Sequence, residues 1–396
     1  MCEILNIVIT GFGVNAPGIN NIEELKNNLE QGICTLEEIK EFGLNDSSIV
    51  AGKIPHDYLI INEKNYKRYP RVSRLAIKTA DDAVTMAKIS KIDRKRISIV
   101  MGTSVGGLQQ IQREIAPLGD EYRKYPIHGI NFGDPHVVSS AIASHFGVKG
   151  PVHTITTGCT ASSDAIALGK LLLESKQTDV CIVGGADAFV DMWSIFGFHK
   201  LKQIELNKRI GETGVPFSNQ SSGFVMSEGA GVLVLEREED ALQRQAQIYG
   251  VIARTYSNND GLEMFQSDMT GSQMLDALQN TILDEVPTYI NSQALGLRVN
   301  DSIEATVHQQ LFGNKVPITS IKGLFGHTFG AMGAIQVISA LITIEHNFIP
   351  KTMFTRGDGY EQLPIVYETK YVDVEKVAIT SHGNGGNNTC ILVNKY

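Results

Sequence analysis

Along most of the chain, short continuous apolar runs alternate with stretches whose apolar positions recur every three or four residues. Asn6 to Thr10, Ile97 to Met101, Val180 to Val183 and Gly231 to Leu235 are compact apolar runs next to glycines, which predicts buried strands, the first ended by Gly11 and Gly13. Between them, Ile22 to Leu29, Ser73 to Ala87 and Ser139 to Phe146 read as helices. In the second, Leu75, Ala76, Thr79, Ala80 and Ala83 share one face. Around residues 240 to 250 the pattern starts again. Ile248 to Ala253 reads as a strand, Ser272 to Leu283 as a helix, Pro287 to Asn291 as a run into a loop, Asp301 to Leu311 as a helix, and Val316 to Ser320 as a strand. Ala331 to Ile344 is a long apolar helix, and Val377 to Thr380 and Cys390 to Val393 are closing strands split by Gly383, Gly385 and Gly386. Such alternation predicts an α/β class with a mostly parallel, buried sheet. The similar element order of the two parts predicts an internal duplication, with halves at 1–245 and 246–396.

One stretch stands out chemically. Thr154 to Leu173 places Cys159 among small and hydroxyl residues, immediately before a helical pattern carried by Ala161, Ala165, Leu168 and Leu172. A thiol in the first turn of a helix faces the positive end of the helix dipole, which predicts a lowered pKa and a nucleophile. The competing reading is a small buried core cysteine. The loop Gly102 to Gly107 resembles a phosphate loop only in its glycines. It lacks the Lys-Ser/Thr ending and the GxGxxG spacing, so no nucleotide site is expected there.

Composition narrows the classes. A chain of 396 residues, 42% hydrophobic, is long enough for two packed halves and a sizeable core. The net charge of −8 is scattered, which argues against a nucleic-acid surface but leaves room for a local basic patch that meets an acidic partner. Five cysteines (Cys2, Cys34, Cys159, Cys181 and Cys390) are odd in number and irregular in spacing, and fit neither a disulfide framework nor a metal site. The run Ile4 to Ile9 follows no basic region and precedes no cleavage-type site, so it does not read as a signal peptide. No apolar run is expected to reach the roughly 18 residues of a membrane span. A soluble, cytoplasmic protein is the expectation.

Five collinear segments carry a resemblance. They are Val8 to Gly13, Met101 to Thr103, the Cys159 stretch, Gly223 to Gly231, and Ile321-Lys322-Gly323-Leu324-Phe325-Gly326-His327, which continues to Ala334. On these, nearly the whole chain resembles a beta-ketoacyl-[acyl-carrier-protein] synthase of the elongating kind. The resemblance implies a thiolase-like fold with duplicated α/β halves in α-β-α-β-α layers. It implies a substrate carried on the phosphopantetheine of an acyl carrier protein and no bound cofactor. It implies a homodimer, or a heterodimer with a homologous ketosynthase, joined near Val180 to Val183. In the family a cysteine takes the acyl group, backbone N–H groups form an oxyanion hole, two histidines stabilise the enolate left by decarboxylation, and a lysine paired with a glutamate supports them.

The resemblance places these roles residue by residue. Cys159 matches the nucleophile, and Lys322 and His327 match the lysine and the second histidine. Three positions depart. Asn300-Asp301 is present, but the loop ahead of it reads Gln293-Ala294-Leu295-Gly296-Leu297, so Gln293 stands where the first histidine belongs. His308 is the nearest histidine beyond and reads as surface or structural. The supporting glutamate falls on Gln336, and the gating phenylalanine of the C-terminal glycine loop falls on Asn384, whose backbone N–H can still serve the oxyanion hole. A Gln amide donates a hydrogen bond but does not exchange a proton near neutral pH. The implied function is therefore an acyltransferase of a type II fatty-acid or polyketide-like pathway, loading Cys159, with condensation lost or altered. Two alternatives stay open. One is a working condensing enzyme with a Cys-Gln-His site. The other is a non-catalytic partner of the chain-length-factor type, which Cys159 counts against.

Overall fold

The computed structural model describes residues 5–40, 47–56, 66, 68–263 and 266–396; Cys2 and Ile4 lie outside them. Ten strands build the main sheet: β1 (Ile7–Asn15), β2 (Ile97–Gly102), β3 (Val152–Ile155), β4 (Val180–Asp187), β5 (Gly229–Arg237), β6 (Gly250–Asn259), β7 (Tyr289–Asn291), β8 (Ile318–Thr319), β9 (Lys376–His382) and β10 (Asn387–Asn394). Their spatial order is β8-β7-β9-β10-β6-β1-β5-β4-β2-β3. The first five strands run β1-β5-β4-β2-β3 from the centre outward, and the last five run β6-β10-β9-β7-β8. Pairing senses match as well. In each half the two inner pairings are antiparallel and the two outer ones parallel. The halves meet through a short antiparallel contact of β1 with β6, Val8 opposite Val251 and Ile9 opposite Gly250.

The sheet is thus mixed rather than mostly parallel. The reason lies in connection length. Only residues 383–386 separate β9 from β10, and a link that short permits a hairpin but no parallel crossover. Several strands also run through glycines that the sequence reading took as ends. β1 continues past Gly11 and Gly13, and β4 past Gly184 and Gly185. The glycines of β1 serve packing. A Cβ at Gly11 would stand 2.3 Å from the Ala83 carbonyl oxygen, and one at Gly13 would stand 2.3 Å from that of Thr79. Both carbonyls belong to α2 (Arg71–Ala87), which lies flush on the strand.

Two helices occupy the middle layer. α4 (Ala161–Glu174) belongs to the first half and α8 (Met332–His346) to the second; α1 (Ile22–Gln31), α3 (Val137–Phe146), α5 (Met192–Lys200), α6 (Ser272–Ile282) and α7 (Arg298–Phe312) complete the longer helices. Every residue from Met332 to Ile344 is buried. One continuous apolar core joins both central helices to both half-sheets, while α2 with α3, and α6 with α7, cover the outer faces. The stretch Phe329–His346, 18 residues with mean hydropathy 1.3, does reach membrane-span length and composition, against the expectation above; 89% of it is buried inside the protein, as the core of a folded domain requires. The two central helices touch where Ser162 Oγ accepts the Ala334 N–H at 3.0 Å.

The strand expected to join two subunits is interior. β4 is paired on one side with β2 and on the other with β5, so its backbone has no bonds left to offer. The free edge of the first half is β3. The Pro151 carbonyl accepts from Ile99 of β2 and the Ile155 carbonyl from Thr103 just beyond it, and alternation along a parallel strand then turns the backbone groups of Val152 and Thr154 outward.

Candidate active site

Cys159 sits where β3 passes into α4. Gly158, at φ +66°, makes the turn, and a single 3-10 turn (Gly158–Thr160) runs straight into the helix. Gly102 permits this fit: a Cβ there would come within 2.3 Å of the Ala161 carbonyl carbon. Thr157, Thr160 and Thr389 all donate to the Asp164 carboxylate, which locks the first turn. The second half brings up its side chains on loops ahead of its own elements. Lys322 opens a short helical turn (Lys322–Phe325), and His327 follows Gly326.

The structure brings thiol and imidazole together. Sγ of Cys159 lies 3.1 Å from Nε2 of His327. Burial holds the His327 imidazole well below its usual range, with the Lys322 ammonium adding to the effect. Burial likewise pushes the Cys159 thiol up to about 12, Asp187 adding and Lys322 opposing. The resting pair is therefore neutral, with the thiol donating to Nε2 and the remaining proton on Nδ1, an atom with no partner among the described residues. The direction is opposite to the one expected from the helix terminus alone, although the thiol is only half-buried. Desolvation in the cavity wall exceeds what one helix terminus supplies. A consequence can be measured. Thiolate fraction rises about tenfold per pH unit below the thiol pKa. Alkylation of Cys159 by iodoacetamide, followed by peptide mass, is expected to rise steadily from pH 6 to pH 9 without a plateau. A plateau near neutrality would mean a lowered pKa.

Lys322 is buried, and its Nζ donates to the Ser292 carbonyl at 3.2 Å. Burial lowers its pKa to about 8 against the opposing pull of Glu304, Asp301 and Cys159. Gln336 does not reach the lysine. Its Nε2 donates to the carbonyls of Asn291 at 3.0 Å and Ser292 at 3.2 Å. The two side chains share the Ser292 carbonyl oxygen as acceptor.

Gln293 lines the same cavity as Cys159 and His327. Its backbone N–H lies 3.1 Å from Thr380 Oγ1 and 3.2 Å from Glu304 Oε1, and its Nε2 donates to the His382 carbonyl at 3.2 Å. Asp301 steadies this loop by accepting from Leu295 N at 2.9 Å, Gly296 N at 3.1 Å and Phe217 N at 2.8 Å; burial raises its carboxyl to about 7. Asn384 also lines the cavity. The preceding Gly383 lies against the nucleophile, a Cβ there falling 3.4 Å from the Cys159 nitrogen. His308 is structural and buried rather than on the surface: Nε2 meets the Val316 carbonyl at 2.8 Å.

The cavity measures about 810 Å³. Phe189, Phe198, Phe224 and Phe329 wall it beside the thiol, Phe329 lying 4.3 Å from Phe189 and 4.9 Å from the His327 ring between centroids. One lining residue escaped the sequence reading. His382 ends β9, immediately before the glycine loop, and faces this cavity. Its signal in the sequence is a histidine directly ahead of Gly383-Asn384.

Residues 5–241 match the beta-ketoacyl synthase N-terminal domain, and residues 249–355 match the C-terminal domain. A granaticin polyketide putative beta-ketoacyl synthase 1 from Streptomyces violaceoruber is 28% identical, covering 87% of each chain. A 3-oxoacyl-[acyl-carrier-protein] synthase 2 from a Synechocystis species is 27% identical over 100% of this chain and 99% of its own. Among solved structures, a beta-ketoacyl synthase from Burkholderia phymatum superposes with TM-score 0.91 at 23% identity, over 99% of this chain and 100% of its own, a likeness of fold.

Proposed function

Because the chain belongs to the beta-ketoacyl synthase family, we propose that it takes an acyl group from a carrier-protein thioester onto Cys159 and passes it on, with decarboxylative condensation lost or altered. The observation that carries this reading is the 3.1 Å contact between Cys159 Sγ and His327 Nε2 in a site whose other expected imidazole is replaced by Gln293. Loading needs a thiol, a base and an oxyanion hole. As Sγ attacks the thioester carbonyl, its proton passes to Nε2 of His327. The backbone N–H groups of Cys159 and Asn384 stabilise the oxyanion. When the intermediate collapses, the carbon–sulfur bond to the carrier breaks, and the imidazolium returns the proton to the leaving pantetheine thiolate. Lys322 raises the local positive potential while the charge develops.

Condensation asks for more. The enolate left when carbon dioxide departs from a malonyl thioester needs two strong donors. His327 can supply one. Gln293 is a weaker donor, and its Nε2 is already engaged by the His382 carbonyl. The test is to incubate the protein with acyl-carrier and with malonyl-carrier, and to follow intact mass and carbon dioxide. An acyl adduct without carbon dioxide or extended product is the expected result. Extended product would show a working condensing enzyme; no adduct at all would point to a non-catalytic partner.

The carrier and subunit partners belong to the same proposal. One similar structure is a type II polyketide ketosynthase in complex with its acyl-carrier protein, and another pairs a ketosynthase with a chain length factor. The unpaired β3 edge supports association through that strand, with a second copy or a homologous synthase. Val152→Pro removes an outward donor next to Pro151 while sparing the bonds to β2. Light scattering of the variant is expected to give the monomer mass where the parent gives a dimer.

A further inference from the structure

The His327 imidazole is held by a hydrogen bond at one nitrogen only. Nε2 meets Cys159 Sγ at 3.1 Å, while Nδ1 is buried and finds no hydrogen-bond partner among the described residues. The backbone is fixed: the His327 N–H donates to the Val225 carbonyl at 2.8 Å, and the His327 carbonyl accepts from the Ser227 N–H at 2.9 Å. Those bonds leave the side-chain torsions free, so packing has to set the plane of the ring. Among the described residues the nearest aromatic ring is Phe329, at 4.9 Å between centroids and 33° between planes; Phe224 stands farther off, at 6.0 Å.

Phe329 takes this place with φ +50°, a left-handed conformation that a residue with a Cβ adopts only at a cost. The next residue shows what holds it there. The Gly330 N–H donates to Oδ2 of Asp187 at 2.7 Å. Asp187 ends β4 and is fully buried, and its carboxylate is fixed from the other side: Thr103 Oγ1 donates to Oδ1 at 2.8 Å and the Ser104 N–H to Oδ2 at 2.9 Å. There is no slack at Gly330, where a Cβ would stand 2.7 Å from Oδ2 and 2.9 Å from the Ser104 nitrogen. Burial raises the carboxyl to about 6, against the bonds from Ser104, Thr103 and Gly330. At neutral pH most of it is therefore ionised, and both oxygens accept. Its charge opposes ionisation of the Cys159 thiol, so activating the nucleophile is not what this carboxylate contributes.

We propose that Asp187 is a positioning residue for His327: by holding Gly330 it seats the Phe329 ring on the imidazole, and so keeps Nε2 directed at the Cys159 sulfur. The carboxylate comes from the first half of the chain and the imidazole from the second, so this clamp ties the base to the half that carries the thiol. Its effect on loading rests on the acyl-transfer reading above; the seating of the ring does not.

The test takes two readouts from each variant. One is loading of Cys159 from acetyl-pantetheine, followed by intact mass. The other needs no reaction: with ring-labelled histidine, the His327 C–H resonance, assigned by its loss in His327→Ala, carries the ring-current shift from Phe329. Asp187→Ala is expected to slow loading about a hundredfold, the effect of a catalytic group misplaced by about 1 Å, and to move the resonance toward its position in Phe329→Ala. In a His327→Ala background the same substitution is expected to cost loading nothing more, because no imidazole is left to position. Asp187→Asn is expected to act in the same direction but less, since one of the three donors must then face an amide NH2. Loading within about threefold of the parent in a folded Asp187→Ala protein, an unmoved resonance, or a loss repeated in full in the His327→Ala background overturns the assignment. Should Asp187→Ala fail to fold, an unmoved resonance in Asp187→Asn overturns it. A parent that never loads Cys159 overturns the acyl-transfer reading, while the resonance still decides whether Asp187 seats the ring.

Discussion

Cys159→Ala is expected to abolish the acyl adduct completely. The alanine removes the attacking atom but little volume, and the first turn of α4 keeps its Asp164 clamp. The fold, read by circular dichroism, should therefore persist. The same mass measurement that shows one acyl group on the parent should show none on the variant at any pH. His327→Ala separates the two halves of the mechanism. Its thiol remains, but proton removal from a group pushed up to about 12 has no local acceptor, so loading slows by roughly two to four orders of magnitude, the usual worth of a positioned base. An adduct that survives in Cys159→Ala would put the nucleophile elsewhere.

The second large effect runs in the opposite direction. Gln293→His is expected to raise carbon dioxide release from a malonyl-carrier by roughly two to four orders of magnitude, by restoring an imidazole donor to the enolate. The position is prepared for it. The backbone of residue 293 is anchored by Thr380 and by Glu304, and Asp301 holds the loop that follows. The glutamine side chain already lies on the cavity wall, and imidazole has similar bulk. Release unchanged in a folded variant would mean that Gln336 and Asn384, not Gln293, set the limit.

Much of the architecture was legible because α/β alternation is written in short apolar runs and helical periodicity, and because Cys159, Lys322 and His327 stand in distinctive local patterns. What escaped depends on relations between distant segments. Strand direction was misjudged because an apolar run looks the same in either sense; the hairpin at 383–386 decides it. Glycines 11 and 13 looked like terminators because their purpose, close approach of α2, is a tertiary fact. Its place before a helix points to an acidic thiol at Cys159, whereas the packing around it acts in the opposite direction. Gln336 was placed beside Lys322 by pattern, yet it bonds to the Asn291 and Ser292 carbonyls. His382 acquires meaning only when β9 brings it beside Gln293 and Glu304.

The matching strand orders of the two halves have a further meaning for how this chemistry is kept in check. The thiol enters from the β3–α4 junction, whereas the imidazole, the ammonium and the Gln293 amide all arrive from beyond β6. A nascent chain that has folded only its first half displays a cysteine with no base beside it. Thiol and base therefore come together only where α8 is docked on α4, and a molecule without that contact holds the cysteine apart from its base.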